Sequence, residues 1–70
     1  MRLGTIISRL RTERNLTRAE LADIAQIGVT TVYDLEKGTE DPRLITLSLI
    51  CNALGVRLSE LFAAAEKEES

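Results

Sequence analysis

The stretch from residue 17 to residue 38, TRAELADIAQIGVTTVYDLEKG, leaves this chain few ways to fold. Thr17 offers a side-chain oxygen where a helix would begin, and Glu20 follows three residues later, the spacing of a reciprocal capping box. That spacing predicts a helix running to Ala25, with Leu21, Ala22 and Ala25 forming one narrow apolar face. Ala22 is small enough to let a second helix come close. Gln26-Ile27-Gly28 interrupts the pattern, and a new helix is expected from Val29. Val32 and Leu35, three apart, would turn inward, and Gly38 suits the left-handed residue that commonly ends a helix. Val29, Thr30, Tyr33, Asp34 and Lys37 are then left facing outward.

Two short helices joined by a tight turn make a helix-turn-helix, in which the first helix crosses a DNA backbone and the second enters the major groove. A second helix of nine residues would be about 13 Å long at ~1.5 Å per residue, compatible with a groove about 12 Å wide. A plain helical hairpin would show the same apolar positions, so spacing alone leaves both open.

The residues Leu16-Thr17, Glu20-Leu21-Ala22, Ile27, Thr31-Val32, Leu35-Glu36-Lys37-Gly38 and Pro42 carry a more specific likeness. It continues through Leu47, Ala53-Leu54-Gly55-Val56 and Leu58-Ser59-Glu60-Leu61. On these the chain resembles the helix-turn-helix family of phage repressors, Cro proteins and their bacterial relatives, from about Leu3 to Phe62. The resemblance implies an all-α, lambda-repressor-like bundle of about five helices that binds operator DNA, usually as a homodimer. Residues 1–65 are accordingly expected to form the DNA-binding domain, with the helix-turn-helix at 18–37, and the charge of residues 66–70 predicts a flexible tail.

Site residues follow from the same likeness. An arginine at the position of Arg11 pairs in the family with the glutamate matched by Glu36, which implies an ion pair tying the first helix to the third. Arg18 stands where the family commonly carries a phosphate-binding glutamine; arginine can make that contact with a full charge, helped by the backbone N–H groups of the helix start. The dimer contact is implied at Val56, Arg57, Leu58 and Phe62. Two departures bear on recognition. Gly28 replaces the usual capping serine, and Gln26 replaces the usual turn glycine, forcing a non-glycine residue toward a left-handed conformation or altering the turn.

The outward face of the second helix sets what could be read. Val29 cannot hydrogen-bond a base but can pack on a thymine methyl, and Thr30 offers a hydroxyl or a methyl to a base edge. Tyr33 is expected to touch a base or phosphate, the alternative being packing on the surface. Asp34 either accepts from cytosine N4, or is a solvated carboxylate or a partner for Lys37 at i+3. Thr31, closer to the buried face, suits a phosphate or a structural contact, and Lys37 and Thr39 suit phosphates, although Glu40 and Asp41 weaken the local field.

A net charge of −2 runs against binding a polyanion, but the charge is unevenly spread. Residues 1–18 hold five arginines against one glutamate, a net +4, while residues 19–70 hold four basic and ten acidic side chains, a net −6. The basic end could meet phosphates or be only a solvated helix face. With no histidine and a single cysteine, a zinc site or histidine-based catalytic group has nothing to be built from, so neither an enzyme nor a cofactor is expected. No run reaches the ~18 apolar residues of a membrane span, nor does the N-terminus show a secretory signal, so a cytoplasmic protein with no membrane partner is expected.

Outside the central motif, periodicity predicts a first helix over 3–14 with Leu3, Ile7 and Leu10 inward and Ile6 partly exposed beside them. A fourth helix is expected from Arg43 or Leu44 to Leu54, burying Leu44, Leu47, Cys51 and Leu54 with Ile50 beside them, and a fifth from Leu58. Ile45 and Leu49 project from the opposite side of the fourth helix. With Ile6 and Ile24 they would give a more apolar surface than a small monomer needs, extending the dimer contact or serving a second protein partner. Two functions of different class therefore stand at this point. One is a sequence-specific transcription regulator, such as a repressor, reading a near-palindromic operator. The other is a protein-interaction module such as an antitoxin, with DNA binding secondary.

Overall fold

The structure, a computed structural model, describes residues 3–39 and 42–69, with side chains as far as Lys67. Five α-helices follow in chain order: α1 Leu3–Glu13, α2 Arg18–Ala25, α3 Val29–Lys37, α4 Leu44–Leu54 and α5 Leu58–Glu69. No strand occurs among the described residues. α3 packs on α1 and α2, α4 lies against α2, and α5 closes the bundle against α1 and α4.

The central motif forms by the local chemistry that its residues carry. Thr17 is the N-cap of α2, its Oγ1 accepting from the Glu20 N–H at 3.0 Å while Glu20 Oε1 accepts from the Thr17 N–H at 2.9 Å, so the capping box is complete. Leu21, Ala22 and Ala25 are buried. Gln26 takes the left-handed conformation, φ 60° and ψ 43°, which is uncommon for a non-glycine residue. Its side chain compensates locally, with Nε2 donating to the Asp23 carbonyl at 2.8 Å. Gly28 caps α3 without a side-chain bond, and Gly38 ends it at φ 76°.

The core is a single cluster drawn from all five helices, with Ile6, Leu21, Val32, Ile50 and Leu61 among its fully buried side chains. Two buried faces differ from those the periodicity predicts. Ile6 is fully buried, not partly exposed, and Leu3 and Leu10 are only half-buried. α1 is covered by α3 on one side and α5 on another, so its buried stripe is wide enough to take both Ile6 and Ile7. In α4 the buried stripe is Leu47, Ile50, Cys51 and Leu54, the i, i+3, i+4, i+7 spacing, while Leu44 is 63% exposed. Leu44 is the first residue of the helix, and helical side chains lean toward the N-terminus, which carries it past the end of the packed layer.

Cys51 packs in the core as expected; burial first, and the nearby Glu60 charge second, push its thiol pKa up. α5 continues through Glu69, so the charged stretch expected as a tail is helical as far as that residue, with Ala65 fully buried. Glu40, Asp41 and Ser70 lie outside the described residues.

Two long-range contacts had no signal in the sequence. Arg14 donates from Nε to the Leu54 carbonyl at 2.6 Å and from Nη1 to the Leu10 carbonyl at 3.0 Å, linking the end of α1 to the C-terminus of α4. One member of the basic N-terminal set is thereby committed to holding the fold, at a helix end whose dipole favours a cation. Gly4 faces the C-terminal turn of α3 so closely that a Cβ there would strike the Leu35 carbonyl oxygen and lie 2.8 Å from that of Glu36. Among the described residues no single helix is long and apolar enough to cross a membrane, and α4 with α5 meets that measure only as a pair bent by 96°.

Candidate nucleic-acid interface

The inward positions Val32 and Leu35 are buried, which fixes the rotation of α3 and turns Val29, Thr30, Tyr33 and Lys37 out to solvent. Asp34 and Thr31 are half-buried at the margins of that face. Thr39 follows the helix, exposed, its hydroxyl donating to the Asp34 carbonyl at 3.4 Å and its N–H to the same oxygen at 3.2 Å.

A charged triad ties this surface to the bundle. Arg11 donates from Nε to Glu36 Oε2 at 2.7 Å and from Nη2 to Oε1 at 3.3 Å, so the expected ion pair is present and bidentate. Arg11 Nη1 also donates to the Leu16 carbonyl at 2.7 Å, and this tethers the guanidinium to the connection between α1 and α2. Glu36 accepts a third bond, from Arg18 Nε at 2.8 Å. Its side chain is only 3% exposed. Burial pushes the Glu36 carboxyl pKa up, but the hydrogen bonds and charges of Arg11 and Arg18 outweigh it and hold the group below the usual carboxylate range.

Arg18 therefore has a structural partner that neither spacing nor resemblance assigned. Its guanidinium carbon lies 5.2 Å from the centroid of the Tyr33 ring, and Lys37 Nζ lies 5.0 Å from the same centroid. Both are cation–π distances, so two cations are gathered around one exposed ring. Arg18, Val29, Thr30 and Tyr33 together line an open groove of about 390 Å³. A larger cavity of about 580 Å³, lined by Arg9, Ala63, Ala64 and Lys67, contains none of these residues.

The residues expected to face a ligand are thus sorted by the fold. Val29, Thr30, Tyr33 and Arg18 share one groove, with Lys37 beside the ring, whereas Asp34 and Thr31 stand at its edges. Val56, Leu58 and Phe62 are half-buried against the core and Arg57 is exposed, all on α5 and the turn before it. The Arg18 bond to Glu36 had a signal in the sequence only in retrospect: two arginines converge on one carboxylate once α2 is placed across α3. Among the described residues no group of three or more ligating side chains could hold a metal ion.

The sequence matches the helix-turn-helix family over residues 7–61. It is 34% identical over 61 residues to the immunity repressor protein of Bacillus phage phi105, covering 87% of this chain and 42% of that one. It is 37% identical over 71 residues to the control protein C.MunI of a Mycoplasma species, covering 97% and 93%. The chain spans about half the length or less of several of the curated relatives it matches. In structure it resembles the clp gene regulator ClgR of Corynebacterium glutamicum, with a TM-score of 0.89 at 24% identity over 97% of this chain and 88% of that one.

Proposed function

The chain belongs to the helix-turn-helix family, and from that premise we propose that it is a sequence-specific, double-stranded-DNA-binding transcription regulator acting in the cytoplasm. The observation that carries the reading is the exposed face of α3 flanked by Arg18 and Lys37, which meet around Tyr33. α3 enters the major groove with Val29, Thr30, Tyr33 and Asp34 toward base edges. Arg18, Thr31, Lys37 and Thr39 contact phosphates; Arg18 bonds Glu36 through Nε, and its side chain remains 45% exposed. Phage-repressor and control-protein relatives support the reading as a transcription regulator.

A homodimer formed through Val56, Arg57, Leu58 and Phe62 sets two copies of α3 about 34 Å apart, one DNA turn, and reads a near-palindrome. Selection of bound duplexes from a randomised pool at about 0.1 M salt tests this. Half-sites centred about 10 bp apart are the expected result.

A second reading, a protein-interaction module such as an antitoxin with DNA binding secondary, is favoured by one observation. Leu44, Ile45 and Leu49 are all exposed on α4. Failure to enrich any sequence, with weak binding that vanishes as salt rises, selects that reading instead.

A further inference from the structure

Part of the surface that α3 presents is apolar, namely the side chain of Val29 and the ring of Tyr33 below its hydroxyl. Val29 is 49% exposed and Tyr33 43% exposed, one helical turn apart on the same side. In the major groove the base edges are donors and acceptors with one apolar exception, the C5-methyl of thymine. An apolar surface set against those edges gains by covering a methyl and loses by covering a polar atom that is left without a partner. Cytosine methylated at C5 carries its methyl at the same ring position.

The groove that would take such a group is built and not incidental. Arg18 forms one wall, held by the buried Glu36, which Arg11 in turn fixes to the end of α1. The Tyr33 ring lies within cation–π distance of both Arg18 and Lys37. Val29 and Thr30, both β-branched with few rotamers, complete the lining. The two cations also supply attraction for phosphates near the base whose methyl the groove covers.

Building on the DNA-binding reading above, we propose that the groove of Arg18, Val29, Thr30 and Tyr33 is a receptor for the C5-methyl of a pyrimidine. The protein then gains the same increment of affinity from thymine over uracil as from 5-methylcytosine over cytosine at one position of each half-site. Binding is thereby responsive to cytosine methylation wherever a C·G pair occupies that position.

The test uses the full chain and the duplex obtained by selection. Each thymine of a half-site is replaced in turn by uracil, and at the responsive position a C·G pair is compared with and without the C5-methyl. One thymine per half-site should respond, with affinity falling about fourfold per methyl lost, the equivalent of ~0.8 kcal/mol for one buried carbon. Removal from both half-sites should cost about fifteenfold, and methylating the cytosine should restore the same factor. Val29→Ala, at an exposed position that leaves the melting temperature unchanged, should shrink the thymine-to-uracil ratio below about twofold. The proposal is overturned if no thymine responds, if the selected half-site contains none, or if the ratio survives both Val29→Ala and Tyr33→Ala. If wild-type protein enriches no duplex at all, the DNA-binding reading fails, a result distinct from an operator bound without regard to methyls.

Discussion

The two halves of this bundle are held together by different means. Around α2 and α3 the contacts are directional: a complete capping box at Thr17, a buried carboxylate taking bonds from two arginines, and a backbone-to-backbone approach at Gly4. Around α4 they are mostly apolar. Arg43 caps α4 without a side-chain bond, the helix buries Leu47, Ile50, Cys51 and Leu54, and it still leaves Leu44, Ile45 and Leu49 exposed. Apolar packing tolerates small rotations and slides, whereas bidentate ion pairs and caps do not. On the proposed function, the half that presents α3 to DNA is the half in which orientation is fixed by polar geometry.

The sharpest way to break that contrast is Glu36→Gln. Removing one charge leaves Arg11, 11% exposed at its side chain, without its counter-ion, and cutting one partner of a buried pair typically costs ~3–5 kcal/mol. We expect the low end, about 3 kcal/mol, because glutamine keeps an acceptor oxygen and Arg11 retains the Leu16 carbonyl. For a domain of this size that lowers the melting temperature by about 12 °C or more. The pH dependence has a definite sign. The native Glu36 carboxyl is depressed below its ordinary value, so it binds protons less readily folded than unfolded. Its contribution is therefore complete above the usual carboxylate range and is lost as pH falls through the depressed native value. In melts from pH 7 to pH 3, Glu36→Gln should flatten the acid limb of the stability curve. An unchanged limb would mean that other carboxylates govern acid unfolding.

Gly4→Ala is the next largest effect and probes the same half without touching a charge. The obstacle to the new methyl is the α3 backbone, at the Leu35 and Glu36 carbonyls, and not a flexible side chain that could swing away. α1 must shift off α3, at a cost of about 2 kcal/mol, and the Arg11–Glu36 pair that spans the same two helices is stretched with it. Chemical denaturation should show a lower midpoint at unchanged slope. A midpoint equal to that of wild type would show that the two helices can separate without penalty.

These two residues mark where the sequence was legible and where it stopped being so. Thr17, Glu20, Gln26 and Gly38 act through neighbours within a few positions, and their conformations follow from local chemistry. Arg11 with Glu36 was accessible only because the resemblance supplied the long-range partner. Periodicity correctly indicated helices over α1 and α4, yet it did not fix their phase: Ile6 and Ile50 are fully buried while Leu44 is exposed. A run such as Leu44 to Leu54, apolar on most sides, has several admissible stripes, and only the positions of α2 and α5 choose among them. Gly4, Arg14 and the Arg18 bond to Glu36 depend wholly on which helices meet, so no local pattern announced them.

The smallest expected effect tests the apolar half. Ile45 is 70% exposed on α4, so Ile45→Gln should change the stability of the folded chain by less than about 0.5 kcal/mol. If the homodimer contact is confined to Val56, Arg57, Leu58 and Phe62, sedimentation should give the same self-association for Ile45→Gln as for wild type. Phe62→Ala should in that case weaken association. Weakened association in Ile45→Gln at unchanged melting temperature would instead extend the interface along α4, and the apolar half would then owe its surplus surface to assembly. The two halves would then differ in what their contacts accomplish, with polar contacts orienting the reading helix within a protomer and apolar ones joining protomers at the spacing that the operator requires.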